Sequence, residues 1–217
     1  MPSASQIFYA LAVTAAAGVQ AAATDGPAYS AGPIIDGTFL QSATSTLILP
    51  ALPVNNNGDA SLSANILTDG PNRVQSVARS AKGQWEIFAR ALQPSGTIQS
   101  SSSYASGGDQ VTMNYQYDDN SKNYTQTISI NGKAVITLST SDGIARWWKT
   151  AVECAANDCG TVAAHSWTNT ELILNNTDPN LDSTFSKGVN VTGDLTTTDE
   201  GKTWSAPVID IPAFTFA

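Results

Sequence analysis

Alternation of apolar and polar residues, in short runs separated by turn residues, is the feature that most limits how this chain can fold. Runs rich in Val, Ile, Thr, Tyr and Trp recur with Gly, Asn, Asp and Pro between them, and helical periodicity is almost absent. Such runs are typical of strands in a sandwich or barrel. The sequence therefore predicts an all-β fold, a two-sheet antiparallel sandwich of jelly-roll or concanavalin-like type with a concave face.

The predicted strands cover residues 44–49, 61–67, 84–92, 110–117, 124–130, 133–140, 149–154, 170–174 and 208–216. Asn131-Gly132 separates two of these runs and predicts a two-residue hairpin turn of type I′, which needs positive φ at both positions. The polar segment 118–122 predicts a further turn. No internal repeat or domain boundary interrupts the chain, so residues 24–217 are predicted to form one domain.

Strand periodicity also predicts which side chains share a face. In the strand at 84–92, one face carries Glu86, Phe88 and Arg90, a carboxylate, an aromatic ring and a guanidinium, whereas Trp85 lies on the apolar face. In the strand at 110–117, Tyr115 belongs to the apolar side. A sheet with a polar and aromatic concave face explains the first of these patterns.

Residues 1–23 are predicted to be a cleaved signal peptide. An apolar run at 7–19 is too short to span a bilayer, small residues follow it, and no acid or base precedes Asp25. A buried N-terminal helix is the alternative. No later stretch is long and apolar enough to cross a membrane. The protein is therefore expected to be secreted.

The two cysteines, Cys154 and Cys159, lie close together in a polar segment. In an exported protein such a pair predicts a disulfide that closes a tight loop. A metal pair is the rival interpretation, but two thiols and one distant histidine fall short of a zinc site. We therefore expect no metal. Three N-glycosylation sequons, at Asn123, Asn175 and Asn190, are consistent with a secretory route.

Charge limits the class of partner. Only 13% of residues are charged, and the formal net charge is −8. This composition disfavours nucleic acids and anionic membranes as partners. An uncharged, apolar small-molecule ligand or an acidic medium fits better. No cofactor motif is present, so no cofactor is expected, and the sequence does not define an oligomeric state.

Candidate catalytic groups are few. His165 is the only histidine, and no Gly-x-Ser-x-Gly nucleophile motif is present. His165 is therefore either an acid/base group or an ordinary hydrogen-bonded loop residue. Glu153 follows a Trp-Trp pair and precedes Cys154, which makes it a catalytic candidate, although acids at strand ends are often only solvated. Arg90 is the third candidate, with a structural pair to Glu86 as the alternative.

Tryptophans provide a further signal. Most of the five are expected to pack in the core. Trp147 and Trp148 are consecutive, so in an extended backbone they point to opposite sides, and one of them is predicted to line a cleft. With Trp167, these rings are predicted to shape a ligand pocket. Glu86, Phe88 and Tyr115 complete the predicted substrate-binding set.

The order of several segments resembles the fungal glutamic peptidases. Trp85 in its strand is followed by Gly-Thr-Ile-Gln at 96–99, Gly-Asp-Gln-Val-Thr at 108–112 and Ala-Val-Glu at 151–153, with cysteines nearby. That family has a two-sheet β-sandwich fold with a concave face, and a Gln and a Glu form its catalytic pair. The resemblance implies that Gln99 and Glu153 are the matching residues, and that the protein is an acid-acting hydrolase.

In overall character the chain also resembles the small secreted fungal hetero-Diels-Alderases of tropolonic sesquiterpene pathways. The shared features are the leader, size, sequons and aromatic-rich β domain, together with the lack of a catalytic triad or cofactor motif. The resemblance implies a cofactor-free cyclisation of a small apolar or aromatic metabolite. Such a reaction needs only oriented partners and hydrogen-bond donors that polarise a carbonyl, here Arg90, Tyr115 or His165. A non-enzymatic carbohydrate-binding or cell-wall-binding module, with exposed tryptophans, is the third hypothesis.

Overall fold

The alternating runs form antiparallel strands, as predicted. A computed structural model describes residues 24–155 and 158–216; the predicted signal peptide lies outside the described residues. The strands are β1 Thr24–Asp25, β2 Tyr29–Ala31, β3 Leu40–Ile48, β4 Ala60–Thr68, β5 Arg73–Ala81, β6 Gln84–Gln93, β7 Gly96–Gln99, β8 Ser103–Ala105, β9 Gln110–Asp118, β10 Asn123–Ile130, β11 Lys133–Thr140, β12 Ala145–Cys154, β13 Thr161–Val162, β14 His165–Leu174, β15 Ser186–Lys187, β16 Thr203–Ile211 and β17 Phe214–Thr215. One 3-10 helix covers Leu181–Thr184.

Two large sheets make the sandwich. Sheet A has the order β15-β2-β12-β4-β5-β6-β7, with β1 also paired to β12 and β8 to β6. Sheet B has the order β11-β10-β9-β3-β14-β16, and β13 pairs with β17 in a small third sheet. The all-β sandwich prediction is confirmed. Among the described residues, no helix has the length and apolar character needed to cross a bilayer.

The core lies between the two sheets. Its largest side chains, all less than 2% exposed, include Trp85, Trp148, Trp167, Tyr115 and Tyr124. Burial of such rings removes a large apolar area from water and is the main stabilising contribution to the fold.

Buried tyrosine hydroxyls join the sheets. The hydroxyl of Tyr115 donates to the carbonyl oxygen of Ala64 at 2.6 Å and accepts from the backbone N–H of Ser76 at 2.7 Å. The hydroxyl of Tyr124 accepts in the same way from the N–H of Ala145 at 3.0 Å. Burial raises the pKa of Tyr115 and of Tyr124 above the usual value. Both hydroxyls therefore act as neutral cross-links.

The turns follow the sequence signals. Asn131 and Gly132 have φ values of 50° and 80° and connect β10 to β11, which confirms the predicted hairpin. The 118–122 segment is a turn closed by a 2.8 Å hydrogen bond from the N–H of Lys122 to the carbonyl oxygen of Asp118. The sequence prediction missed β5, because its core-facing positions are small or polar: Val74, Ser76, Ala78 and Ser80.

The outer face of sheet A is concave. Across the sheet, Trp147, Leu67 and Arg73 lie in one row. Glu153 is farther along β12 by six residues, about 20 Å in a flat strand. The Arg73 guanidinium nevertheless contacts the Glu153 carboxylate at 3.0 Å. Side chains so far apart in register meet only if the strands twist and curl strongly, so this face forms a trough.

Candidate functional site

The trough is defined by four rows of side chains that cross the strands of sheet A. The first row holds Trp147, Leu67, Arg73, Leu92 and Thr97; the second Lys149, Asn65, Gln75, Arg90 and Gln99; the third Ala151, Ser63, Val77 and Phe88; and the fourth Glu153, Ser61, Arg79, Glu86 and Tyr104. We call this surface the concave face. It contains Glu86, Phe88, Arg90, Trp147 and Glu153 from the predicted site.

A chain of hydrogen bonds follows the second row. The Arg90 Nε donates to the Oε1 of Gln75 at 2.8 Å, and the Gln75 amide donates to the Oδ1 of Asn65. The Asn65 amide in turn donates to the Ser63 hydroxyl at 3.0 Å. Ser63, Asn65 and Gln75 are each 0% exposed. Because buried amides must be paired, this chain fixes the orientation of Gln75 and one edge of Arg90.

Glu153 lies at one end of the concave face, where the Cys154–Cys159 disulfide follows it immediately. Its carboxylate is 7% exposed and pairs with Arg73 through Oε1, while Oε2 makes no hydrogen bond with the described residues. Burial of a carboxylate is costly without a cation, and Arg73 supplies that cation. The predicted disulfide is confirmed.

Both carboxylate oxygens of Glu86 already accept hydrogen bonds. Its two oxygens accept from the Ser102 hydroxyl at 2.7 Å and from the Nε of Arg79 at 3.1 Å. The Ser102 hydroxyl and Arg79 hold the pKa of Glu86 below its usual value. The expected alternative partner, Arg90, therefore does not pair with Glu86. Phe88 lies beneath both cations, with the guanidinium carbons of Arg79 and Arg90 at 5.4 Å and 5.8 Å from its ring centre.

A cleft of about 480 Å³ opens at the first and second rows. Its apolar lining includes Trp147, Leu67 and Pro71, and its charged lining consists of Arg73, Lys149 and Asp69. Lys149 makes no ion pair within the described ranges, so its ammonium is available to a ligand. A small molecule bound here would contact apolar walls and two cationic hydrogen-bond donors.

Local backbone features position the Trp147 ring. The register between β12 and β4 shifts between Ala145 and Trp147, so Arg146 is an extra residue that turns Trp147 toward the concave face. Gly32 lies under the ring, where a Cβ would approach the Cδ1 of Trp147 to 2.6 Å. Only glycine permits this close approach, because its φ is also +126°.

Arg146 connects the walls of the cleft. It pairs with Asp36 at 2.6 Å and with Asp69 at 3.6 Å, and its Nε donates to the carbonyl oxygen of Ile34 at 2.9 Å. The loop at 34–36 and the β4–β5 turn, which contributes Asp69 and Pro71, are thereby attached to the same strand end. Arg146 is therefore a positioning residue for the cleft.

Four of the predicted site residues lie outside the concave face. Trp148 and Trp167 are 1% and 0% exposed in the core, although Trp148 also borders the cleft. Tyr115 is fully buried between the sheets. His165 belongs to sheet B, is 6% exposed, and donates through Nδ1 to the carbonyl oxygen of Ala163 at 3.1 Å. The four residues therefore lie apart from the rows that carry Arg90 and Glu153, and of the four only Trp148 borders the cleft.

Burial lowers the pKa of His165 and keeps its ring neutral. Its Nε2 is buried without a hydrogen-bond partner in the described residues. Within the described residues the imidazole therefore makes no hydrogen bond to an acid or a nucleophile with which it could exchange a proton. The predicted catalytic role of His165 therefore receives no support from its surroundings.

Gln99, which the peptidase resemblance pairs with Glu153, lies on the edge strand β7 and is exposed. Three strands separate β7 from β12, and no hydrogen bond joins Gln99 to Glu153. The buried glutamine of the concave face is Gln75, on the strand that the sequence prediction missed. Arg73, Asn65 and Gln75 are thus the site residues that sequence reasoning overlooked, and their only signal was polar residues at alternate positions of 61–67 and 73–79.

The three predicted glycosylation sites lie at strand ends or in loops. Asn123 begins β10, Asn175 follows β14, and Asn190 is exposed in the loop after β15. Within the described part of the chain, no group of three or more acidic, histidine or cysteine side chains has a metal-binding arrangement.

Local charge on the concave face differs from the overall charge. On the four rows of this face, the carboxylates Glu86 and Glu153 oppose four cations, Lys149, Arg73, Arg79 and Arg90, and Asp69 adds a further carboxylate at the cleft. The face thus has more positive than negative groups, although the chain has a formal net charge of −8. A ligand on this face meets a positive field.

Comparison with known proteins identifies the fold. No family model and no curated protein sequence matches the chain. A structure of scytalido-glutamic peptidase with a transition state analogue inhibitor superposes with a TM-score of 0.54 at 14% identity, over 84% of this chain and 96% of that chain. A second structure of that peptidase, with a peptide-based analogue, gives a TM-score of 0.51 at 16% identity, over 84% and 98%. At such identities the likeness establishes the sandwich fold alone.

Proposed function

We propose that this protein is a cofactor-independent enzyme that cyclises a small, largely apolar metabolite in the cleft beside Trp147. The lining of that cleft carries the proposal. Trp147, Leu67 and Pro71 supply apolar contact area, while Arg73 and Lys149 supply cationic donors at the same opening. Catalytic pockets for apolar substrates commonly combine these two elements.

The reaction that fits is a hetero-Diels–Alder addition. A four-atom O=C–C=C unit and an alkene form one C–O and one C–C bond, three π bonds become one, and no atom leaves. Donors at the carbonyl oxygen stabilise the negative charge that develops there, which is the role of Arg73 and Lys149. The apolar walls hold the two partners in the reacting orientation. Binding energy thus compensates for the entropy that the partners would lose in a bimolecular encounter.

Turnover tests the proposal. Purified protein, incubated with a quinone-methide precursor and a medium-ring polyene, is expected to form the cycloadduct faster than buffer and with an enantiomeric excess that the uncatalysed reaction lacks. Trp147→Ala should reduce the rate at least about tenfold because the partners lose their orientation. Lys149→Gln should also slow the reaction, because it removes one of the two donors, and Lys133→Gln, on the exposed edge strand β11, is its matched control. A racemic product at the buffer rate would contradict the proposal.

Hydrolysis is the second candidate, and Glu153 is the observation that favours it. One oxygen of this buried carboxylate pairs with Arg73, and the other has no partner in the described residues, so it is free to accept a proton from a water molecule. Gln75 places an amide on the same face. Together they resemble the Gln and Glu chemistry expected from the peptidase resemblance, with Gln75 in the place assigned to Gln99.

Proteolysis separates the two candidates. We expect no cleavage of a denatured protein substrate between pH 3 and pH 7, since the Gln75 amide is already committed to Asn65 and Arg90. The opposite result would establish the hydrolase: the wild-type protein cleaves the substrate at acidic pH, and both Glu153→Gln and Gln75→Leu lose this activity while they remain folded. Glu171→Gln, an exposed acid on sheet B, is the control for the first substitution.

A further inference from the structure

One arginine on the concave face differs from the other three in the chain. Arg73 pairs with Glu153, Arg79 with Glu86, and Arg146 with Asp36 and Asp69. Arg90 has no carboxylate within 4.0 Å among the described residues, which include all four arginines. A guanidinium that is partly buried in the fold normally has a carboxylate partner, because removal of its charge from water is costly.

The hydrogen bonds of Arg90 show which part of it is free. Its Nε donates to Gln75 at 2.8 Å, and Gln75 is held by Asn65. The two terminal nitrogens, which carry four N–H groups, make no hydrogen bond with the described residues. The backbone is also fixed, since the Arg90 carbonyl oxygen accepts from the Gln126 amide at 3.2 Å. Arg90 thus presents a fixed pair of nitrogen donors without a bound acceptor.

The surroundings favour an anion at this position. Phe88 supports the guanidinium from below at 5.8 Å, which restricts its rotation. Burial lowers the pKa of Arg90, Glu153 raises it, and the positive charges of Arg73 and Arg79 lower it further. A bound anion would relieve both the desolvation and the repulsion between like charges.

We propose that the terminal nitrogens of Arg90 bind a planar oxyanion of the ligand, of the carboxylate class, at a subsite separate from the Trp147 cleft. Two parallel N–H groups match two carboxylate oxygens, and a guanidinium binds such a group in bidentate fashion. The subsite rests on the proposed function in one respect: the apolar body of the same ligand occupies the cleft. Arg90 on β6 is three strand spacings and one row from Trp147 on β12, about 16 Å in a flat sheet, so the ligand has an apolar end and a distant acidic end.

Calorimetric titration with a matched probe pair tests the subsite. 8-Phenyloctanoate and 8-phenyloctanamide differ only in the charged end group. At low ionic strength the wild-type protein is expected to bind the carboxylate at least about tenfold more tightly than the amide. In Arg90→Gln the two affinities should agree within about twofold. Arg90→Lys should restore part of the preference, because an ammonium keeps the charge but not the bidentate geometry.

Two controls make the result specific. Lys133→Gln removes one positive charge from sheet B and should leave the carboxylate preference unchanged. Trp147→Ala should weaken both probes by a similar factor, because it removes contact with the apolar body they share. Arg90→Gln leaves no carboxylate without its cation but removes the donor to the buried Gln75 Oε1, so circular dichroism checks that the variant remains folded.

The outcomes separate the subsite from the proposed reaction. A preference that survives in Arg90→Gln, or equal binding of the two probes by the wild-type protein, would overturn the subsite. Absence of binding by either probe would overturn it as well. A tenfold preference that depends on Arg90, in a protein that forms no cycloadduct, would leave the subsite standing and would refute the proposed cyclisation.

Discussion

The two faces of sheet A bury polar groups in different ways. On the face toward sheet B, the hydroxyl of Tyr115 bonds with Ala64 and Ser76, and the Gln126 amide accepts from Ser76 and donates to the carbonyl of Arg90. On the concave face, the chain from Ser63 through Asn65 and Gln75 ends at Arg90, whose outer nitrogens have no partner in the described residues. The hydroxyl and amide groups of Tyr115, Ser76 and Gln126 are paired with one another, although the indole N–H of Trp148 on the same face has no partner among the described residues. The outer chain ends in the free donors of Arg90.

This difference distinguishes a structural polar network from a binding one. Polar groups buried to hold two sheets together satisfy one another, because an unpaired group costs about 1–3 kcal/mol. A network that orients one edge of an arginine and leaves the other edge free has a different use, which is to present donors in a fixed direction. The concave face is therefore the part of the molecule where a ligand adds the missing interactions.

The largest expected difference between the two faces involves adjacent tryptophans. Trp148 is 1% exposed in the core, so Trp148→Ala leaves a cavity and should lower the free energy of unfolding by about 3–5 kcal/mol. Trp147 is partly exposed on the concave face, and Trp147→Ala should cost about 1–2 kcal/mol. Urea unfolding followed by circular dichroism measures both. Equal losses would mean that the two rings occupy equivalent environments.

A smaller expected loss of stability tests the hydrogen bonds of Tyr115 on the face toward sheet B. Tyr115→Phe removes the hydroxyl that bonds with Ala64 and Ser76, and both backbone groups remain buried. We expect a loss of about 2 kcal/mol in the free energy of unfolding. Tyr104→Phe, with the same chemical change at a residue that is 58% exposed, should alter stability by less than about 0.5 kcal/mol. If the two substitutions have the same effect, the hydroxyl of Tyr115 does not join the sheets.

The smallest expected effect is the pH dependence of stability that His165, on sheet B, contributes. Burial lowers the pKa of His165, so below the unfolded-state value of 6.5 the unfolded chain binds a proton that the folded chain does not. Stability contributed by the neutral ring is thus present above pH 6.5 and is lost as the pH falls toward the folded-state pKa, by at most about 1.4 kcal/mol per pH unit. Between pH 7 and pH 5.5, His165→Gln should lose less stability than the wild type. Identical pH profiles would show that His165 titrates normally.

Much of this architecture follows from sequence patterns. Alternation predicted the all-β sandwich and the faces of β6 and β9, and Asn131-Gly132 predicted its hairpin. The spacing of Cys154 and Cys159 predicted the disulfide. These features are local. Alternating burial along a strand, a positive φ in a turn and the closure of a short loop each depend on residues that are close together in the sequence.

The site was harder to predict because it depends on β5. Ser76 and Ala78 occupy core positions of this strand, where large apolar residues are expected, so the run lacks a clear alternation. Small residues fit there because Tyr115 and Gln126 reach across from sheet B and bond with Ser76. Gln75 and Arg79 were consequently missed. Composition carries no information about a single face: a net charge of −8 favoured an uncharged ligand, but charge averaged over the chain does not describe the concave face.

Tryptophan fluorescence during titration with 8-phenyloctanoate tests the central claim most directly, that the ligand binds on the concave face. Of the five tryptophans, the four others are at most 3% exposed, so Trp147 offers the most accessible ring to a ligand there, although Trp148 borders the cleft. We predict that the probe changes the emission of the wild-type protein and of Trp148→Phe, and that the change disappears in Trp147→Phe. A full response in Trp147→Phe, or its selective loss in Trp148→Phe, would place the ligand elsewhere and contradict the claim.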